Sequence, residues 1–161
     1  MRRSAPAPDL SVLPIDVRDA DDVTLVFLRH KGCLFTRELI QQLRDDAAPE
    51  QRVVLVHQST EEEYDRTLAG LWPEAERVSD PDARWYRAFA VRRGGWREMF
   101  GLASWRAGIP AFFRGNMIGW KGAADGWTLP TAVRLRNGEV VAEHRGTHAG
   151  DQPRLAELAA A

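Results

Sequence analysis

The stretch VTLVFLRHKGCLFTR, residues 23–37, passes from a near-continuous apolar run into the first turns of an amphipathic helix. The run 23–28 has the character of a strand covered on both faces. Beyond Cys33, the residues Phe35, Leu39, Ile40, Leu43 and Ala47 recur at helical spacing, and Pro49 closes the segment. Val53-Val54-Leu55-Val56 then repeats the strand pattern. Strand, helix and strand make a βαβ unit with parallel strands and a right-handed crossover.

Reading outward, residues 1–8 carry early positive charge without a following apolar segment, so residues 1–10 are expected to form a flexible leader to one domain over 11–161. Thr60-Glu61-Glu62-Glu63 has a capping-box pattern, opening a helix with Tyr64, Leu68, Leu71 and Trp72 on its apolar face and Pro73 at its end. Asp80-Pro81 reads as an N-cap followed by proline at the first helical position, with Trp85, Tyr86 and Phe89 on the buried side. In the last third, strands 131–135 and 140–142 flank Asn137-Gly138, a pair suited to the positive φ angles of a type I′ hairpin turn. A final helix over 155–160 packs back through Leu155 and Leu158. Between these parts lies an insertion, about 92–127. It holds Trp96, Trp105, Trp120 and Trp127 among glycines and basic residues, is expected to be partly helical around 96–100 and 102–107, and reads best as a cover over Cys33.

A βαβ half followed by a ββα half predicts an α/β, thioredoxin-like fold: a central mixed β-sheet flanked by helices, with a Trp/Arg/Gly-rich insertion before the C-terminal hairpin. In that fold a cis proline at the start of the hairpin's first strand sits against the reactive cysteine, with its preceding backbone free for substrate. Pro130, after Leu129, occupies the matching place, although proline also simply starts edge strands.

Composition narrows the function. The chain has 161 residues, 22 Lys plus Arg against 23 Asp plus Glu, and a net charge of -1. This balance gives no global pull toward nucleic acid or anionic membrane, and no stretch approaches the ~18 apolar residues of a membrane span. A cytoplasmic protein is expected. Its single cysteine excludes an internal disulfide, a CxxC couple and a multi-cysteine metal cage. The four histidines show no metal-ligand spacing beyond His144-x-x-x-His148, which needs a helix where the sequence reads as strand end and loop. Neither a metal nor a cofactor is expected.

Cys33 follows the first strand and opens the first helix, where unpaired N–H groups and the helix dipole favour thiolate over thiol. His30, Lys31 and Arg37 add positive charge, Gly32 eases the sharp turn, and Thr36 is placed to point its hydroxyl back at the sulfur. Such a thiolate is a nucleophile toward peroxides or disulfides. The competing reading is a small buried hydrophobe.

The segment 27–37 is similar to "FLRxxGCxFCRE" of the peroxiredoxin-like branch of the alkyl hydroperoxide reductase and thiol-specific antioxidant (AhpC/TSA) family, in the thioredoxin superfamily. The resemblance continues through Asp80-Pro81 and the helix Tyr86-Arg87-Ala88-Phe89, through Gly126-Trp127-Thr128-Leu129-Pro130, and in NGEVVAEHRGTHAGD (137–151), which is like the family's "dGrVvyaHrsrhaGDhp". It spans most of the chain from Val23 onward. Thr36 departs from it, standing where many relatives have a second cysteine. Typical peroxiredoxins also carry a threonine three residues before the reactive cysteine, where this chain has His30.

The resemblance implies an antioxidant thiol oxidoreductase serving cell redox homeostasis, in which Cys33 thiolate is oxidised by peroxide to sulfenate. Thr36, and either Arg37 or an arginine of the insertion, would assist Cys33, and Gly32, Leu129 and Pro130 would meet substrate. With one cysteine, the reductant must be an external thiol: a small thiol, a thioredoxin-like protein, or Cys33 of another copy in a homodimer. The alternative is a non-enzymatic thioredoxin-fold module that binds a protein or peptide, its redox site vestigial.

Overall fold

The computed structural model describes residues 7–95, 101 and 127–160. The helices expected around 96–100 and 102–107, and the interior of the insertion with them, lie outside the described residues.

Five strands form one sheet in the order β3-β2-β1-β4-β5, with β1 at Val23–Phe27, β2 at Val53–His57, β3 at Glu76–Ser79, β4 at Thr131–Arg136 and β5 at Glu139–Arg145. β2 runs parallel to both β1 and β3, whereas β4 is antiparallel to β1 and β5. Helices α1 (Ile15–Arg18), α2 (Leu34–Asp46), α3 (Glu61–Thr67), α4 (Arg84–Ala88) and α5 (Leu155–Ala159), with two 3-10 turns, complete the described elements. This is the thioredoxin-like α/β arrangement.

Every residue of β1 and β2 is buried, because strand side chains alternate between two covered faces. Val23, Leu25, Phe27, Val54, Val56, Val133 and Leu135 pack with Trp85, Tyr86 and Phe89 of the α4 region and with Leu13 and Val17 near the N-terminus. Val26, Leu28, Val53, Leu55 and Ala132 pack on the opposite face against Leu39, Ile40 and Leu43 of α2, Tyr64 and Leu68 from the α3 region, and Leu155 and Leu158 of α5. Each fully buried aliphatic side chain contributes about 1.5–3 kcal/mol of transfer free energy, so the central strands fix the sheet and the helices follow their own apolar stripes onto it. Residue Leu10, in a 3-10 turn at Leu10–Val12, packs against the first of these clusters.

The hairpin follows the expected chemistry: Asn137 and Gly138 have φ of 50° and 75°, the left-handed pair of a type I′ turn. Three local expectations need correction. A short strand, β3, follows Pro73 where none was anticipated. α3 stops at Thr67 and continues only as a 3-10 turn, Ala69–Leu71. α4 begins at Arg84 rather than Pro81, yet Asp80 still serves it. Its Oδ1 accepts from Arg84 N–H at 2.8 Å, and its Oδ2 accepts from Trp85 and Tyr86 N–H at 2.8 and 3.3 Å. The buried carboxylate thereby satisfies three N–H groups at the end of a helix that lacks a side-chain cap of its own.

The insertion leaves the domain through a two-stranded stem. Leu129 N–H donates to Arg92 O at 2.9 Å and Gly94 N–H to Trp127 O at 2.7 Å, around an antiparallel bridge between Arg93 and Thr128. Its root therefore lies beside the head of β4, next to Cys33.

Candidate active site at the head of helix α2

Cys33 is the N-cap of α2, with extended backbone (φ -84°, ψ 127°) and a carbonyl that accepts from Thr36 N–H at 3.1 Å. Its own N–H donates to His30 O at 3.0 Å, so residues 30–33 form a turn between β1 and α2. Gly32 lies in that turn. The sulfur belongs to a small apolar cluster with Phe35, Leu129 and Ala149, flanked by Leu34 and Trp127, and Cys33 is 7% exposed. Leu129, expected near the cysteine, is brought there.

The residue that meets the sulfur is Arg29. Its Nη1 donates to Cys33 Sγ at 2.9 Å. Its Nε donates to Thr128 O at 2.7 Å. Arg29 is 8% exposed, so this cation acts in a poorly solvated setting where its field is weakly screened. One guanidinium thus links the head of α2 to the strand that leads into Pro130.

Of the other basic residues expected to serve the thiol, Lys31 and Arg37 are engaged elsewhere. Lys31 Nζ lies 2.6 Å from Glu63 of α3. Arg37 Nη1 donates to Thr67 O at 3.1 Å, which corrects its expected place beside the reacting atoms: it is four residues along the helix and reaches over to α3. Burial, with a smaller contribution from the Arg29 charge, pulls His30 below the ordinary histidine value, favouring a neutral ring. Thr36 is also corrected. Its hydroxyl donates to His30 O at 3.2 Å rather than to sulfur, because the turn presents that carbonyl to the first helical turn.

Pro130 is buried at the head of β4, and every described peptide bond is trans, the Leu129–Pro130 bond included. The expected cis geometry is therefore absent. The backbone before it is not free for substrate: Leu129 N–H serves Arg92 O, Thr128 O receives Arg29, and Leu129 O accepts from the Thr131 hydroxyl at 3.3 Å. The insertion stem occupies the place a docking peptide would take.

Arg29 was missed as a functional residue in the sequence. The signal available was a cation one residue past the near-continuous apolar run 23–28 and four before the only cysteine, a position from which a side chain can fold back over the turn. Among the described residues no group of three or more His, Cys, Asp or Glu side chains is placed to hold a metal ion, and no helix is long and apolar enough to cross a membrane.

No known family pattern and no curated protein matches the sequence. Solved structures do. The Xanthomonas campestris bacterioferritin comigratory protein, whose structures were described in terms of its alkyl peroxide reduction activity, is 18% identical with a TM-score of 0.56, over 92% of this chain and 81% of that one. A cysteine-to-serine variant of Xanthomonas campestris peroxiredoxin Q is 16% identical with a TM-score of 0.54, over 92% of each chain. The chain is similar to these proteins in fold.

Proposed function

We propose that this protein is a peroxiredoxin-like thiol peroxidase with a one-cysteine cycle, in which Cys33 is the nucleophile and an external thiol restores it. The observation that carries the reading is the 2.9 Å contact between Arg29 Nη1 and Cys33 Sγ at the N-terminus of α2. A cation and a helix terminus together stabilise negative charge on sulfur. The fold likeness to peroxide-reducing proteins supports the same reaction class.

In the proposed step the Cys33 thiolate attacks one peroxide oxygen. An S–O bond forms as the O–O bond breaks, sulfur loses two electrons, and the departing alkoxide or hydroxide takes up a proton to leave as alcohol or water. Arg29 faces the sulfur at which this charge is redistributed. The external thiol, a small thiol or a thioredoxin-like protein, condenses with the sulfenic acid, releasing water and leaving a mixed disulfide. A second thiol then displaces the Cys33 thiolate. The cytoplasm, which keeps thiols reduced, is the compartment we assign to this cycle. The reading as a peptide-binding module loses its support, since the backbone groups beside Pro130 are bonded within the chain.

The test is to treat reduced protein with hydrogen peroxide or an alkyl hydroperoxide, trap with dimedone, and locate the adduct by mass. A dimedone adduct on Cys33, absent from Cys33→Ser, is expected. Protein left unmodified at modest peroxide while folded would refute the reading.

A further inference from the structure

The loop 146–151, between β5 and α5, forms a further wall of the Cys33 site and is held by its own groups. Gly146 N–H donates to Pro130 O at 2.8 Å. A Cβ at Gly146 would stand 2.8 Å from Pro130 O and 2.9 Å from Asp151 O, both of them backbone atoms, so the loop is pressed onto the head of β4 with no space for even a methyl group. The Asp151 side chain closes the loop: its Oδ2 accepts from Thr147 N–H at 2.7 Å and from the Thr147 hydroxyl at 2.8 Å. Asp151 O accepts from His144 Nε2 at 2.9 Å. Burial opposes the charge on Asp151, but the Thr147 bonds and the nearby His144 and His148 outweigh it and hold the carboxyl below its ordinary range. Next along the chain, Gln152 Nε2 donates to Phe35 O at 3.1 Å, tying the loop's far end to the first turn of α2. Ala149, 1% exposed, is the residue this frame delivers into the cluster of Cys33, Phe35 and Leu129.

We propose that Ala149 determines the size of what reaches the Cys33 sulfur, and that Asp151 is the positioning residue that holds Ala149 in place. The inference rests on the proposed function only in taking Cys33 sulfur as the reacting atom. It refines that reading toward small substrates, because Ala149 packs in the cluster that leaves Cys33 only 7% exposed. One methylene in an apolar pocket changes discrimination by about tenfold or more.

Methyl and benzyl methanethiosulfonate test it. Both are neutral, and in both the thiolate attacks the divalent sulfur, a mixed disulfide forms and methanesulfinate leaves, so the change in their rate ratio from one variant to another reports the space at the sulfur. Ala149→Gly is expected to raise the benzyl-to-methyl ratio about tenfold, and Ala149→Val to lower it by a similar factor. Asp151→Ala is expected to raise the ratio, with Asp151→Asn, which keeps an oxygen for Thr147, remaining close to the parent. Leu158→Ala loosens the opposite cluster as a control and is expected to leave the ratio unchanged. An unchanged ratio in both Ala149 variants, or an equal change in Leu158→Ala, overturns the proposal. Because this exchange involves no peroxide, its outcome is separate from that of the dimedone test.

Discussion

Replacing Arg29 with Met keeps a long unbranched side chain in the buried position and removes the guanidinium. The bonds lost include Nη1 to Cys33 Sγ at 2.9 Å and Nε to Thr128 O at 2.7 Å, and these two act on different quantities. A hydrogen bond from a charged donor contributes about 1.5–3 kcal/mol. At about 1.4 kcal/mol per factor of ten, losing the bond to sulfur lowers the second-order rate of Cys33 with peroxide by roughly 10- to 100-fold. The bond to Thr128 joins two segments far apart in sequence and bears on stability. Its loss at about 1.5 kcal/mol lowers the melting temperature by about 3–6 °C for a domain of this size. Arg29→Lys keeps the charge but offers one donor head where two separated acceptors must be reached, so its rate is expected between the two. Stopped-flow tryptophan fluorescence under excess peroxide, with the product identified at Cys33 by mass, gives the rate; a thermal melt gives the second quantity. If Arg29→Met melts lower but is oxidised as fast as the parent, the guanidinium only braces the backbone and the electrostatic argument fails.

Asp80→Ala removes the acceptor of three N–H groups at the head of α4 and is expected to cost about 2 kcal/mol, the upper end for a lost helix cap; urea unfolding measures it. Acid should also destabilise the fold through histidine. His57 and His30 are both held below 6.5, chiefly by burial, so the unfolded chain binds protons there that the folded chain does not. Their contribution is complete above pH 6.5 and is lost as pH falls from there toward the lowered folded values, by up to about 1.4 kcal/mol per pH unit for each ring. Urea midpoints between pH 7.5 and 5 should fall accordingly, and His57→Gln should flatten the slope; a flat profile in the parent would contradict it.

The parts of the fold legible in the sequence are those whose stabilisation is local or periodic. Runs such as Val23–Phe27 and Val53–His57 show themselves as buried strands, Asn137-Gly138 specifies its turn through backbone sterics, and α2 carries its apolar stripe openly. β3 carries no such mark. Its Glu76 pairs with Arg52, and its Arg77 with Glu61 and Asp65, while Val78 alone of its side chains joins the core. Four residues that read as a polar connector become an edge strand because β2 offers a free edge, which is a tertiary fact. The start of α4 was misplaced for a related reason. Asp80 caps from a distance, across Ala83 in a left-handed conformation (φ 53°), and no spacing rule describes that.

The site divides the same way. The placement of Cys33 at a helix head follows from local pattern, but the partner of its sulfur depends on which of three consecutive basic residues, Arg29, His30 and Lys31, turns inward. Their partners decide this: Thr128 lies 99 residues from Arg29, and Glu63 sits on another helix. With Lys31 drawn to Glu63 and His30 favoured neutral by burial, Arg29 is the cation of the three bonded to the sulfur.

Position 36 shows how the chain manages without a second thiol. Thr36 is 1% exposed, one turn along α2 from Cys33, where a second thiol in a CxxC motif would pair with the first. Its hydroxyl is instead bonded to His30 O, the same carbonyl that receives Cys33 N–H. Two donors thus converge on one carbonyl of the turn 30–33, and neither bond involves the sulfur. In a dithiol couple the turn must accommodate both a disulfide and two separated thiols. Here, with a single cysteine in the chain, no internal disulfide forms or breaks beside Arg29, which is the arrangement the proposed one-cysteine cycle would require.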